Sequence, residues 1–237
     1  VVDYLQEGQT NISVPAGNRH RILDRNLFSN EIQAFLRMAQ ILDAADPTNP
    51  MAATEVVALA ETMGQLLDLP AWQMKRLRLA GFLHRIHPLQ NAQSVLTPGA
   101  STTYKEDAPS CALTCALVPG TQVLRTMPRL RAVAQIITHQ SEWWNGTGEP
   151  AGLGGDEIPL ESRILTLIAD FQCKLNQKFS SGLTKEETLT QALEECTQQK
   201  STRFDPKLIE TLTLLVMGLH QGFELPVITP KLSAGMW

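Results

Sequence analysis

The chain has 237 residues, of which 43% are hydrophobic, and 20 Lys and Arg against 24 Asp and Glu give it a formal charge of -4. No run of like charge is long enough to form a basic face for phosphate backbones, so nucleic acid is excluded as the expected partner. No apolar run approaches the roughly 20 residues of a membrane span and no signal peptide opens the chain, so we expect a cytoplasmic protein with no membrane partner. Four cysteines are too few for a disulfide scaffold and predict reduced thiols.

Apolar residues recur at helical spacing through most of the chain, and convincing strand alternation is absent. Proline steps at Asp46-Pro47, Leu69-Pro70 and Pro88 break the pattern and end helices. Helices are predicted over residues 27–45, 52–68, 71–86, 111–118, 122–124, 130–142, 160–175, 184–196 and 206–220. The sequence therefore predicts an all-α fold, a bundle of about eight helices with long loops.

Two irregular segments interrupt these helices. Residues 90–109 are rich in Ser, Thr, Pro, Gly and Asn and predict a long surface loop, while residues 145–159 hold five glycines and two prolines. Local patterns also predict two helix starts. Thr184 with Glu187 forms a capping box, and Asp205 is an N-cap before a proline at the first helical position.

The polar N-terminal stretch predicts the domain organisation. The chain opens with Val1, and its first 26 residues lack an apolar pattern. We interpret residues 1–26 as a linker or N-terminal extension within a longer protein, residues 27–222 as the helical domain and residues 223–237 as a C-terminal tail.

One segment carries a specific motif. Residues 139–150 read HQSEWWNGTGEP, Gly-Leu follows at 152–153, and the next helix contains Ser-Arg-Ile at 162–164 and Ala-Asp at 169–170. This order resembles the stretch that names the HD-GYP family, in which His-His-Glu leads to Asp-Gly-x-Gly-Tyr-Pro and a Gly-Leu turn. Residues 83–86 resemble the approach to that family's His-Asp dyad, and residues 204–206 resemble the start of its last helix. The resemblance covers roughly residues 41–217.

The resemblance implies a phosphohydrolase ancestry. Members of the family are typically phosphodiesterases for the bacterial messenger cyclic di-GMP, with two or three iron or manganese ions held by His and Asp. A bridging metal pair lowers the pKa of the attacking water and neutralises the phosphoryl oxygens.

Most of the ligands implied by the resemblance are replaced in this chain. Alanine stands at positions 52 and 116, Arg85 replaces the Asp of the dyad, and Gln140 and Ser141 replace the paired histidines. We therefore expect no catalytic residue, no metal and no cofactor, and a vestigial cleft in which Arg85 pairs with Asp170. The residues assigned to this cleft are His84, Arg85, His139, Gln140, Ser141 and Asp170.

Three residues in or beside the glycine-rich segment are candidates for recognition. Trp143 and Trp144 can form an aromatic platform, and we expect one in the core and the other at the surface. Glu149 replaces the family's tyrosine and adds negative charge near a dianionic ligand, and Pro88 replaces a lysine near the phosphate. Binding of cyclic di-GMP is therefore left open.

The functional expectation follows from these losses. The sequence favours a catalytically inactive HD-GYP-like signalling domain, a pseudoenzyme that acts through protein-protein interaction. A bacterial response regulator output domain with an attached receiver domain is one such protein, and a homodimer is compatible with it. A nucleotide sensor that uses the old cleft, a residual phosphodiesterase and the related metal-free HDOD domains are the alternatives.

Overall fold

The computed structural model describes residues 33–34, 36–37, 40–41, 52–85, 124–179 and 182–226. The chain divides into two compact units, residues 1–35 and residues 36–237, and all the helices named below belong to the second unit. The predicted helix over residues 111–118, the 90–109 loop, most of the 27–45 helix and the positions Pro88 and Ala116 lie outside the described residues.

The prediction of an all-α fold is confirmed. The described part of the chain contains six α-helices with defined ends, further helical residues between 33 and 41 and at 124–126, and no strand. Its β-type contacts are two isolated bridges. The helices are α1 (Ala52–Leu66), α2 (Ala71–Leu83), α3 (Arg131–Thr138), α4 (Leu160–Phe179), α5 (Lys185–Gln198) and α6 (Pro206–His220). None of the described helices is long and apolar enough to cross a membrane.

Helix α4 lies at the centre of the bundle. It packs against each of the other five helices. Its inward side chains have no solvent exposure, and they are Ile164, Leu165, Leu167, Ile168 and Phe171. Burial of these five large apolar side chains stabilises the bundle by roughly 1.5–3 kcal/mol each. The polar residues that α4 carries are thereby fixed against the neighbouring helices.

The ends of α1 and α3 differ from the predicted ends because the chain turns earlier. Asp68 has a φ of 51°, and the amide of Leu69 donates to the carbonyl of Gly64, so a left-handed residue closes α1 at Leu66. Helix α3 gives way at Thr138 to a 3-10 turn over His139–Ser141. That turn directs the chain away from α3 and into the glycine-rich segment.

The two predicted helix starts are confirmed. The Thr184 hydroxyl accepts from the amide of Glu187, whose carboxylate accepts in return from the amide of Thr184 at 3.0 Å. The Asp205 carboxylate accepts from the amide of Lys207 at 2.9 Å, with proline at the first helical position of α6. Short polar side chains at these positions satisfy amides that have no partner within the helix.

Candidate functional site

Two of the predicted cleft residues meet at the end of α2. His84 follows the last residue of α2 and is buried, with its Nδ1 2.5 Å from the carbonyl oxygen of Gly81. The side-chain amide of Gln140 donates to the carbonyl oxygen of His84 at 3.5 Å. Burial lowers the pKa of His84 to about 4, because a charged imidazole loses its hydration there, and the nearby Arg85 charge adds to the shift.

Asp170 is the anionic centre of a second group, on α4. Its Oδ1 lies 3.0 Å from Nη1 of Arg203 and its Oδ2 lies 3.2 Å from Nζ of Lys174. The expected ion pair between Arg85 and Asp170 is wrong. Arg203 comes from the turn before α6 and Lys174 lies one helical turn further along α4, and these two cations take the carboxylate instead.

The ionic contacts extend from Asp170 along α4 to α5. Glu195 lies 3.6 Å from Lys174 and 2.5 Å from Lys178, and its hydrogen bond to Lys178 lowers its pKa. We call the three cations and two carboxylates the Asp170 cluster; its members are Asp170, Lys174, Lys178, Glu195 and Arg203. The cluster carries one more positive charge than negative charge.

Iron or manganese, which the family resemblance implies, does not fit the described residues. Among them, no three His, Cys, Asp or Glu side chains are grouped closely enough to hold an ion. Both carboxylate oxygens of Asp170 already face cations, and Nδ1 of His84 faces a backbone carbonyl. A metal pair needs several anionic or imidazole donors with free lone pairs, and this donor set does not supply them.

Sequence reasoning gave no role to Glu142, which organises the glycine-rich segment. Its buried carboxylate accepts from the amide of Ala151 at 2.7 Å and from the amide of Leu153 at 3.1 Å. His139 also contacts it, with Nδ1 3.4 Å from Oε1, whereas the sequence offered no partner for this histidine. A glutamate directly before a glycine-rich segment was the available signal, because such segments expose amides that require acceptors.

The two tryptophans occupy different environments. Trp144 is half-buried rather than in the core, and the guanidinium of Arg163 lies 5.4 Å from its ring centre. Arg163 also bridges Asp156 and Asp205, at 2.9 and 2.8 Å, and so ties the glycine-rich segment to the start of α6. Trp143 is 41% exposed, with the guanidinium of Arg203 6.0 Å from its ring centre.

The remaining predicted residues take backbone or surface positions. Ser141 accepts with its carbonyl oxygen from the amide of Glu149 at 3.2 Å, and the Glu149 side chain is exposed. The Ser141 hydroxyl is buried with no hydrogen-bond partner in the described part of the chain. Arg85 is half-buried in the 3-10 turn after α2.

The cysteine prediction is only partly right. Cys196 is a free thiol, buried 3.9 Å from Asp170, and burial raises its pKa, so it is unreactive. Cys173 is disulfide-bonded, contrary to the expectation of reduced thiols.

A family model described as HD domain matches residues 23–208 of the chain. The chain belongs to the HD domain family. This HD domain is 31% identical over 209 residues to the 3'3'-cGAMP-specific phosphodiesterase 2 of Vibrio cholerae. The aligned region covers 85% of this chain and 38% of that protein. The domain is 36% identical over 97 residues to the 3'3'-cGAMP-specific phosphodiesterase 3 of the same organism, covering 41% of this chain and 19% of that protein. The HD domain thus spans well under half the length of these relatives.

A solved structure agrees at the level of the fold. A crystal structure of a cyclic GMP-AMP-specific phosphodiesterase of Vibrio cholerae superposes with a TM-score of 0.58 at 22% sequence identity, over 80% of this chain and 49% of that chain. The curated relatives correct the functional expectation. The prediction of a catalytically inactive protein-interaction domain is wrong, because the relatives of this HD domain are named phosphodiesterases.

Proposed function

We propose that this chain is the HD domain of a phosphodiesterase that hydrolyses a 3'3'-cyclic dinucleotide. The observation that carries the proposal is the 31% identity with a 3'3'-cGAMP-specific phosphodiesterase over 85% of the chain. In this reaction a water oxygen adds to phosphorus and one P–O ester bond breaks. The leaving ribose oxygen takes the proton, and the ring opens to a linear dinucleotide.

The Asp170 cluster supports the substrate class. A cyclic dinucleotide carries two phosphodiester charges, and a site with an excess cation lowers the cost of bringing that charge near the protein. Asp170 holds Arg203 and Lys174 in place at 3.0 and 3.2 Å. The described residues therefore bind and orient the dinucleotide, and they do not supply a metal pair to activate the water.

We also propose that this HD domain belongs to the HD-GYP branch of the family. The glycine-rich segment after HQSE and the Ala-Asp step on α4 favour the HD-GYP branch of the family. An attached receiver domain or another protein partner, and a cytoplasmic location where cyclic dinucleotides serve as messengers, follow from the same resemblance.

A turnover assay tests the proposal. The purified chain is incubated with 3'3'-cyclic GMP-AMP, cyclic di-GMP or cyclic di-AMP, with manganese, iron(II) or magnesium, and linear products are separated by anion-exchange chromatography. We expect a linear product from at least one substrate and a yield at least about ten-fold lower for Asp170→Asn, about 1.4 kcal/mol of lost stabilisation.

Asp156→Asn is the matched control, because that carboxylate is 89% exposed and lies outside the Asp170 cluster. No product from any substrate contradicts the proposed function. A product yield in Asp170→Asn equal to that of the wild type contradicts a role for the Asp170 cluster in it.

A further inference from the structure

The exposed indole of Trp143 is held in a rigid backbone frame. The backbone carbonyl oxygen of Trp143 accepts from the amide of Gly146 at 2.8 Å. The amide of Trp144, the next residue, donates to the carbonyl oxygen of Arg203 at 3.1 Å. A Cβ atom at Gly148 would collide with the backbone nitrogen of Trp143, so only glycine lets the segment close on it. An exposed aromatic side chain on a backbone fixed in this way loses little further backbone entropy when it binds a ligand.

Arg203 connects this ring to the Asp170 cluster. One side chain places Nη1 3.0 Å from Oδ1 of Asp170 and its guanidinium carbon 6.0 Å from the Trp143 ring centre and 5.2 Å from that of Phe204. The guanidinium is held by a carboxylate and two rings, and it lies beside the indole. Trp143 is therefore within one arginine side chain of Asp170.

The surroundings of Trp143 distinguish it from the other exposed tryptophan. Trp72 is 54% exposed on α2 and also stacks with an arginine, Arg76, at 4.6 Å. Arg76, however, is exposed and has no part in the Asp170 cluster. Two of the described tryptophans have more than a third of their surface exposed. Of these two, only Trp143 lies beside the Asp170 cluster, which has an excess positive charge.

This combination fits a nucleotide. A purine base stacks on an indole with its π-face, and the Arg203 guanidinium beside the ring favours the phosphodiester attached to that base. We propose that Trp143 is the stacking platform for a nucleobase of the cyclic dinucleotide and that Arg203, fixed by Asp170, positions the ring. The inference rests on the proposed function and names the base-binding subsite of the same site.

Equilibrium binding of a hydrolysis-resistant phosphorothioate analogue of 3'3'-cyclic GMP-AMP tests this subsite in the full chain. We expect Trp143→Ala to weaken binding by roughly 5- to 150-fold, the usual effect of losing one base–aromatic stack. Trp143→Phe keeps an aromatic face, so we expect its affinity to stay within about three-fold of the wild type. Trp72→Ala is the matched control and leaves the affinity unchanged.

Tryptophan fluorescence separates stacking from a structural role. The analogue should quench emission in the wild type and in Trp72→Ala, and this quenching should be lost in Trp143→Phe even though that variant still binds. Arg203→Lys keeps the charge beside Asp170 but loses the planar group beside the ring, and we expect weaker binding, by at least about three-fold.

The outcomes of the binding and turnover assays are distinguishable. Wild-type affinity and quenching in Trp143→Ala, in a protein that still hydrolyses the dinucleotide, overturn the stacking platform and leave the proposed function standing. Equal losses in Trp72→Ala and Trp143→Ala also overturn it. A wild-type chain that neither binds nor hydrolyses any cyclic dinucleotide overturns both proposals.

Discussion

Arg203 and Asp170 lie 33 positions apart in the sequence, yet Nη1 of the arginine lies 3.0 Å from Oδ1 of the aspartate. The contact joins the central helix α4 to the turn that precedes α6. Both side chains are largely buried, which makes each partner dependent on the other. When one member of a buried ion pair is removed, an uncompensated charge remains in a poorly solvated place.

The Asp170→Ala substitution therefore has a large expected effect on stability. Because Arg203 and Lys174 would both lose their carboxylate, we expect the free energy of unfolding to fall by about 3–5 kcal/mol, measured by urea denaturation. Asp156→Ala removes a carboxylate that pairs with Arg163 but is 89% exposed, and it should cost no more than about 1 kcal/mol. Similar losses in the two variants would contradict the account of the Asp170 cluster.

Glu142 gives a prediction that is local to the glycine-rich segment. In Glu142→Gln one acceptor oxygen becomes an amide donor, which faces either the amide of Ala151 or that of Leu153 and cannot satisfy it. An unsatisfied buried donor costs about 1–3 kcal/mol. Hydrogen exchange at residues 151–153 should accelerate, while the exposed control Glu149→Gln should leave it unchanged. Unaltered exchange in Glu142→Gln would rule out the organising role.

His84 makes stability depend on pH. Its pKa is about 4 in the folded chain and 6.5 as a free side chain, so the unfolded chain binds the proton more tightly. The free energy of unfolding should therefore fall as pH drops from about 6.5 to about 4, by roughly 3 kcal/mol. Urea titrations across this range should show a shallower pH slope in His84→Gln than in the wild type. The exposed His220→Gln is the control, and equal slopes in all three proteins would contradict the prediction.

The metal content of the purified protein tests whether Asp170 is a metal ligand. Because both oxygens of its carboxylate face cations, we expect Asp170→Asn to bind the same amount of iron and manganese per chain as the wild type, by elemental mass spectrometry. The protein is purified with both salts present. A lower metal content in the variant would show that Asp170 is a ligand.

Local patterns predicted the six helices with defined ends well, because helix starts and stops depend on neighbouring residues. The capping box at Thr184 and the Asp205 N-cap needed only a few adjacent positions. Local patterns could not predict that Arg203 pairs with Asp170. Lys174 stands at the helical i+4 spacing, but Arg203 is brought in by the packing of α4 against the last two helices, which no local pattern encodes.

The functional error has a similar origin. The family's metal ligands are replaced at several positions of this chain. Taken one position at a time, these replacements argued for an inactive domain. Similarity to one named phosphodiesterase over 85% of the chain compares many more positions and favours a phosphodiesterase. The glycine-rich segment after Glu142 signalled a need for an acceptor. The donors are backbone amides, however, so no residue type marks Ala151 and Leu153 as its partners.

The most direct test of the central claim is hydrolysis of 3'3'-cyclic GMP-AMP in water enriched in oxygen-18, followed by mass spectrometry of the nucleotide. The account predicts a linear dinucleotide that carries one oxygen-18 atom in its freed phosphate, formed by the wild-type chain and much more slowly by Asp170→Asn. Recovery of only intact, unlabelled cyclic dinucleotide would contradict it.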